Sequence, residues 1–193
     1  MQRIILASAS PRRKALLEQV DIDYVIHPSL APEIMIDGSV NDVVRHLAHQ
    51  KAQWVITDIG DSEVPSNTIV LGADTVVTYE GRILGKPADR DDAYHMLKML
   101  SGNIHEVYTG VAMLSLDRNI DISFAECTKV KFYELTEEEL QNYLDTDEPY
   151  DKAGSYGIQG LGATLVESIE GDYNNVVGLP LARVYRELNK IYG

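Results

Sequence analysis

The sequence predicts an α/β fold built on a mixed β-sheet, and two observations carry that prediction. Short β-branched apolar runs alternate with capped amphipathic stretches through the first half of the chain, the pattern of strand–helix crossovers. Further on, two long extended runs, residues 104–116 and 120–132, flank Asp117-Arg118-Asn119 as the arms of a hairpin flank its turn. No repeat, low-complexity tract or linker interrupts the chain, which reads as a single domain over residues 1–193.

Ile4-Ile5-Leu6-Ala7 reads as a buried strand. Ser10 then suits a helix N-cap and Pro11 the first helical position, with Leu16, Leu17 and Val20 as the apolar stripe. Tyr24-Val25-Ile26 is a second strand, and His27 to Gly38, with two prolines, an irregular loop. Ser39 caps a helix in which Val43, Val44, Leu47, Ala48, Lys51, Ala52 and Val55 share one side. Residues 57–67 are a polar surface connection. Thr68 to Ala73 reads as a central strand with Asp74 emerging at its end, and Val76 to Tyr79 continues extended to a turn at Glu80-Gly81. A helix spans Asp91 to Leu100. In the second arm of the hairpin, Ile120, Ile122, Phe124, Val130 and Phe132 keep a period of two. Thr136 to Glu139 is a capping box opening a helix to Leu144. Residues 145–162 are turn-rich, Thr164 to Ile169 is a strand, and Leu181 to Ile191 closes the chain as a helix.

Composition narrows the function. Seventeen Lys and Arg against 30 Asp and Glu leave a net charge of −13, and 45% of residues are hydrophobic, enough for a core. An acidic surface argues against nucleic-acid polymers as partners, and an RNA-binding module would need an extended basic face. No apolar run approaches the roughly 20 residues that span a bilayer, and Met1-Gln2-Arg3 leads into too short an apolar run for a signal peptide. The lone Cys127 makes no internal disulfide and reads as buried and inert. The expectation is a soluble cytoplasmic protein without membrane partners.

Against that acidic background, residues 1–14 hold Arg3, Arg12, Arg13 and Lys14 and no acid. Cations at a helix N-terminus oppose its dipole at about 0.3–1 kcal/mol each. An anion on the helix end would reverse that balance, met by backbone N–H groups, the Ser8 and Ser10 hydroxyls and the Arg12 fork. A solvated basic face with an ordinary serine cap explains the same residues. The spacing is not that of a Walker loop. At Gly72-Ala73-Asp74-Thr75, an aspartate leaving a buried strand suits a general base or a Mg²⁺ ligand, and a turn-capping aspartate is the plainer alternative. Gly72 lets another backbone or a ligand approach closely. Lys51 on its helix stripe and Lys86 before Pro87 are either phosphate-directed or ordinary surface lysines. The five histidines show no metal-binding spacing, and His46 and His49 read as helix surface.

Leu6-Ala7-Ser8-Ala9-Ser10-Pro11-Arg12-Arg13, Gln50-Lys51-Ala52, Gly72 to Thr75, Gly85-Lys86-Pro87, Leu100-Ser101-Gly102, Asp151 to Gly160 and Val177-Gly178-Leu179-Pro180, in this order and spacing, resemble the Maf family of nucleoside triphosphate pyrophosphatases, nearly end to end. The Asp151 to Gly160 stretch is similar to the dTTP/UTP branch. The resemblance implies an elongated mixed sheet with flanking helices in two lobes around a central cleft, of the inosine-triphosphate-pyrophosphatase kind. It implies hydrolysis of dTTP and UTP, and of modified pyrimidine triphosphates, to the monophosphate and pyrophosphate, a house-cleaning of the nucleotide pool linked to division arrest. By the same resemblance Asp74 is the proton acceptor, and Arg12, Thr75 and Gln159 shape substrate choice. Ser8, Ser10, Arg12, Arg13, Lys51 and Lys86 meet the phosphates, and Mg²⁺ or Mn²⁺ is the cofactor, on Asp74. Many members carry paired acids where this chain has Pro32-Glu33, which leaves Glu33 as the lone acid that would join Asp74 on the metal. A homodimer is implied by the resemblance alone. A nucleotide-binding division regulator without turnover is the alternative, and it would have no need of Asp74 as a base.

Overall fold

The computed structural model describes residues 3–60, 67–115 and 117–193, so the central part of the connection expected at 57–67, and Leu116 of the first hairpin arm, lie outside the described residues. Strands β1 (Arg3–Leu6) and β2 (Tyr24–Ile26) flank helix α1 (Pro11–Glu18), and helix α2 (Val40–Ile59) leads to β3 (Thr68–Tyr79) and β4 (Arg82–Leu84). Helix α3 (Arg90–Leu100), β5 (Ile104–Ser115), β6 (Ile120–Phe132) and α4 (Glu137–Leu144) follow. Three short 3₁₀ turns then precede β7 (Val166–Glu170), α5 (Tyr173–Val177) and α6 (Leu181–Tyr192). The strands form one seven-stranded sheet in the order β2-β1-β3-β5-β6-β7, with β4 pairing β3. β1 runs parallel to both β2 and β3, whereas β3–β4 and β6–β7 are antiparallel, so the sheet is mixed as expected.

The chain divides into two compact units. The first comprises residues 1–74, 109–126 and 178–193, and the second residues 75–108 and 127–177. In the first, β1 lies between two parallel neighbours and is apolar throughout its buried length, as a strand covered on both faces must be. Ile5, Ala7, Ala48, Ala52, Val55, Ile56, Val70, Ala112 and Leu114 make its core against α2. Helix α2 starts at a reciprocal capping box of Ser39 and Asp42, which satisfies two otherwise orphaned amides.

Two glycines let α2 seat directly on the sheet. A Cβ on Gly72 of β3 would stand 2.2 Å from the Ala48 carbonyl oxygen, and one on Gly110 of β5 would stand 2.1 Å from that of Val44. The close approach that the sequence assigns to Gly72 is therefore made by the backbone of α2.

In the second unit, α3 and α4 cover Val107, Val130, Phe132 and Leu165 with Leu97, Leu100, Leu140 and Leu144. Three details depart from the sequence reading. Asp74 and Thr75 sit inside a continuous twelve-residue strand, not at the end of one, because the backbone pairing carries on past the polar pair. The strand expected from Thr164 begins at Val166, since residues 160–165 close a 3₁₀ turn. Cys127, expected to be buried, is half-buried on β6.

Gly72→Ala drives a methyl group into a backbone carbonyl that no side-chain rotation can relieve. The expected cost is about 1–3 kcal/mol, seen as a fall in thermal midpoint of about 2–4 °C for each kcal/mol at this chain size.

Candidate active site

The seating of α2 on β3 fixes two of the candidate side chains at once. Lys51 lies one residue before Ala52, which packs at Gly72, and Asp74 lies two residues beyond Gly72 on the same strand. The Lys51 Nζ donates to Asp74 Oδ1 at 2.5 Å and to Glu33 Oε1 at 2.8 Å. Asp74 is 7% exposed, so its charge depends on that partner. Glu33, in the 27–38 loop, is exposed and shares this lysine with Asp74. Lys51, read from sequence as phosphate-directed or snorkelling, is thus an ammonium held between two carboxylates.

The cationic helix end belongs to the same unit. Ser10 caps α1, its hydroxyl accepting from the Arg13 amide at 3.5 Å. The Ser8 hydroxyl accepts from the Ser10 amide at 3.2 Å and from Arg13 Nη1 at 3.1 Å. Arg13 Nε donates to the Gly178 carbonyl at 2.8 Å. The Arg13 guanidinium is therefore a strut that ties the first turn of α1 to the stretch before α6, which explains one of the three cations there without a ligand. Burial lowers its pKa from the usual arginine range, the negative charge of Asp74 acts against that shift, and Arg12 adds to it. Asp74, Arg12, Arg13 and Glu33 thus share one electrostatic neighbourhood. Arg12 is half-buried on the first turn.

The remaining predicted residues lie in the second unit. Thr75 is half-buried on β3, and Lys86 and Gln159 are exposed. The Gly154 amide donates to the Gly85 carbonyl at 3.0 Å, joining the Lys86 turn to the 152–162 segment that carries Gln159. Gly154 has φ +68° and no room for a Cβ, which would meet Val77 at 2.9 Å. Behind this segment, Tyr156 shares a 2.7 Å hydrogen bond with the buried His105, and both rings pack edge-on against Phe132. The glycines of residues 152–162 are thus fixed by packing.

Among the described residues, no three His, Cys, Asp or Glu side chains come together. Asp74 and Glu33, meeting on one ammonium, suit a hard cation such as Mg²⁺, which takes one or two protein carboxylates and completes its shell with phosphates and water. The sequence reading missed the Lys51–Asp74 contact and the His105–Tyr156 pair. The helical spacing that places Lys51 beside Ala52 was the only available sign of the first, and an isolated histidine gives none of the second.

The Maf family, described as Maf-like protein, matches residues 3–191. A protein of Agathobacter rectalis named dTTP/UTP pyrophosphatase is 49% identical over 201 residues, covering 99% of this chain and 98% of its own. One of Bacillus cereus with the same name is 54% identical over 191 residues, covering 98% and 96%. Among solved structures, a HAM1 protein from Coxiella burnetii aligns with a TM-score of 0.54 at 16% identity, over 98% of this chain and all of that one. The Ham1 protein of Staphylococcus aureus aligns at 0.51 and 14% identity, over 96% of this chain and all of that one. At such identities the likeness carries the fold alone, and the α/β class on a mixed sheet is borne out.

Lys51→Met removes the ammonium from a buried carboxylate and should destabilise the fold by about 3 kcal/mol, the lower part of the range for breaking a buried pair. Adding Asp74→Asn should return most of that loss, which a double-mutant cycle in urea measures. Burial also lowers the His105 pKa to about 4, whereas an unfolded histidine titrates near pH 6.5. The unfolded chain then binds more protons between these values, so stability falls as pH drops from about 6.5 through 4. His105→Gln should flatten that part of the urea-midpoint profile.

Proposed function

The chain belongs to the Maf family, and from that premise we propose that it hydrolyses dTTP and UTP to the monophosphate and pyrophosphate. Relatives of this name match it over nearly their whole length. The observation that carries the reading at the level of chemistry is the buried Asp74 carboxylate, held by Lys51 in the electrostatic neighbourhood of the cationic start of α1.

A triphosphate carries about three to four negative charges, and its cleavage depends on positioning and charge neutralisation. Arg12 on the first turn of α1 gathers phosphate oxygens, with Ser8, Ser10 and Arg13 keeping that helix end in place. The family resemblance also assigns the exposed Lys86 to phosphate contact. Asp74 with Glu33 would hold Mg²⁺ or Mn²⁺, which would supply further neutralisation of phosphate charge. Asp74 accepts a proton from water as the water oxygen bonds to the α-phosphorus. The bond from that phosphorus to its bridging oxygen breaks, and pyrophosphate leaves with the electron pair.

The Lys51 ammonium gives this chemistry a gate. While it sits on Asp74 it neutralises the base. Incoming phosphate oxygens compete for the same ammonium, and its transfer to them releases the carboxylate for proton transfer. Gln159, with an amide that both donates and accepts, matches the O4 and N3–H edge shared by uracil and thymine and absent from cytosine. Modified pyrimidine triphosphates with that edge belong to the same substrate class. The family resemblance alone suggests a second copy of the chain as partner, and the cytoplasm is the location expected from composition and cysteine usage.

Asp74→Asn should lower turnover about 10²–10⁴-fold, measured as pyrophosphate release from UTP and dTTP with Mg²⁺ or Mn²⁺. Near-normal turnover in that variant would remove Asp74 from the chemistry. Nucleotide binding by the unmodified protein without pyrophosphate release would favour a regulator over an enzyme.

A further inference from the structure

Gln159 is exposed and lies in an extended conformation, φ −104° and ψ 165°, just before a 3₁₀ turn without a side-chain cap of its own. An exposed amide selects a base only if its backbone is held, and the structure supplies the hold from Glu148, ahead of the segment. Glu148 Oε1 accepts from the Leu161 amide at 2.9 Å, and Oε2 accepts from the Gly162 amide at 3.2 Å. Both oxygens of one carboxylate thus grip the two amides that follow Gln159-Gly160.

Gly160 between them has φ +68°, and a Cβ there would stand 2.4 Å from Glu148 Oε1. The glycine is required by the carboxylate as much as by the turn. Glu148 is itself braced, because its amide donates to Thr146 Oγ1 at 3.2 Å and its carbonyl accepts from Lys152 Nζ at 2.6 Å. Lys152 also pairs with Asp151 at 2.6 Å. At the other end of the segment, the Gly157 amide donates to the Tyr143 hydroxyl at 3.3 Å. A Cβ on Gly162 would fall 2.1 Å from the Gly157 carbonyl oxygen, so the segment closes on itself around Gln159.

We propose that Glu148 is a positioning residue for base selection, its carboxylate setting the place from which the Gln159 amide meets the pyrimidine edge. The proposal rests on the reading of Gln159 as the base-selecting residue. A carboxylate does this better than a neutral amide because it has two acceptor oxygens and makes charge-assisted bonds, roughly twice as strong as neutral ones. Glu148→Gln keeps the shape but turns one acceptor into a donor that faces an N–H.

The test compares kcat and KM for UTP and CTP in the full-length protein, Glu148→Gln, Gln159→Ala and the double variant, with thermal midpoints alongside. Glu148→Gln should lower the UTP-to-CTP ratio of kcat/KM about 10-fold, mainly through a higher KM for UTP. In the Gln159→Ala background the same substitution should change the ratio no further, because nothing is left to position. An unchanged ratio in Glu148→Gln, with selectivity lost in Gln159→Ala, overturns the role of Glu148 and leaves the Gln159 reading intact. Full selectivity in Gln159→Ala overturns both. A further fall in the ratio when Glu148→Gln is added to Gln159→Ala also overturns positioning, since Glu148 would then act independently. Should Glu148→Gln fail to fold, Glu148→Asp takes its place, retaining both acceptors at shorter reach, and the same comparisons decide.

Discussion

The first unit depends on a steric permission. At Gly72 and Gly110 a hydrogen atom occupies the space a side chain would take, and the carbonyl oxygens of α2 come to rest there. Everything chemical in this unit is referred to that contact. It sets the height of α2 over the sheet and thereby the reach of Lys51, and it fixes which residue of β3 stands opposite. Shape complementarity between backbones holds better than side-chain packing alone, because a backbone has no alternative rotamer.

A carboxylate inside a paired strand is an expensive thing to keep charged. The fold meets that expense with a lysine from a different element, and the lysine is shared with an exposed acid from a loop. A fully buried partner would make the pair inert. Lys51 retains some contact with solvent, with its side chain 18% exposed. The strut made by Arg13 completes the arrangement from the other side. It donates to Ser8 and Gly178 and so braces the helix end.

Much of this was legible before any coordinates. The caps at Ser10, Ser39 and Thr136 sit where their spacing places them, and the two-residue period of β6 puts Phe124, Val130 and Phe132 inside. Short elements were not legible. β4 has three residues and no period to read, and α5 is only five residues, with Asp172 Oδ1 capping it by accepting from the Asn174 amide at 2.8 Å. The latter is held by buried Asn175, whose amide donates to the Val107 carbonyl and the Thr128 hydroxyl, contacts far apart in sequence. Asp74 was recognisable as unusual among apolar neighbours, but a polar pair at mid-strand looks the same as a strand's end until the pairing of Val77 to Tyr79 with β4 is known. The Glu148 clamp spans fourteen residues between irregular segments, and no local pattern announces such a contact.

The division of the chain has a consequence for its synthesis. β3, β5 and β6 each begin in one unit and finish in the other, and α6 returns to the first unit at the end. The Tyr192 hydroxyl bonds to the carbonyls of Arg3, at 3.5 Å, and of Asn67, at 3.2 Å. β1 therefore acquires this partner only once α6, far along the chain, has been made. Neither unit can be released by a single proteolytic cut or expressed as a contiguous gene fragment, because each is assembled from separated stretches of the chain.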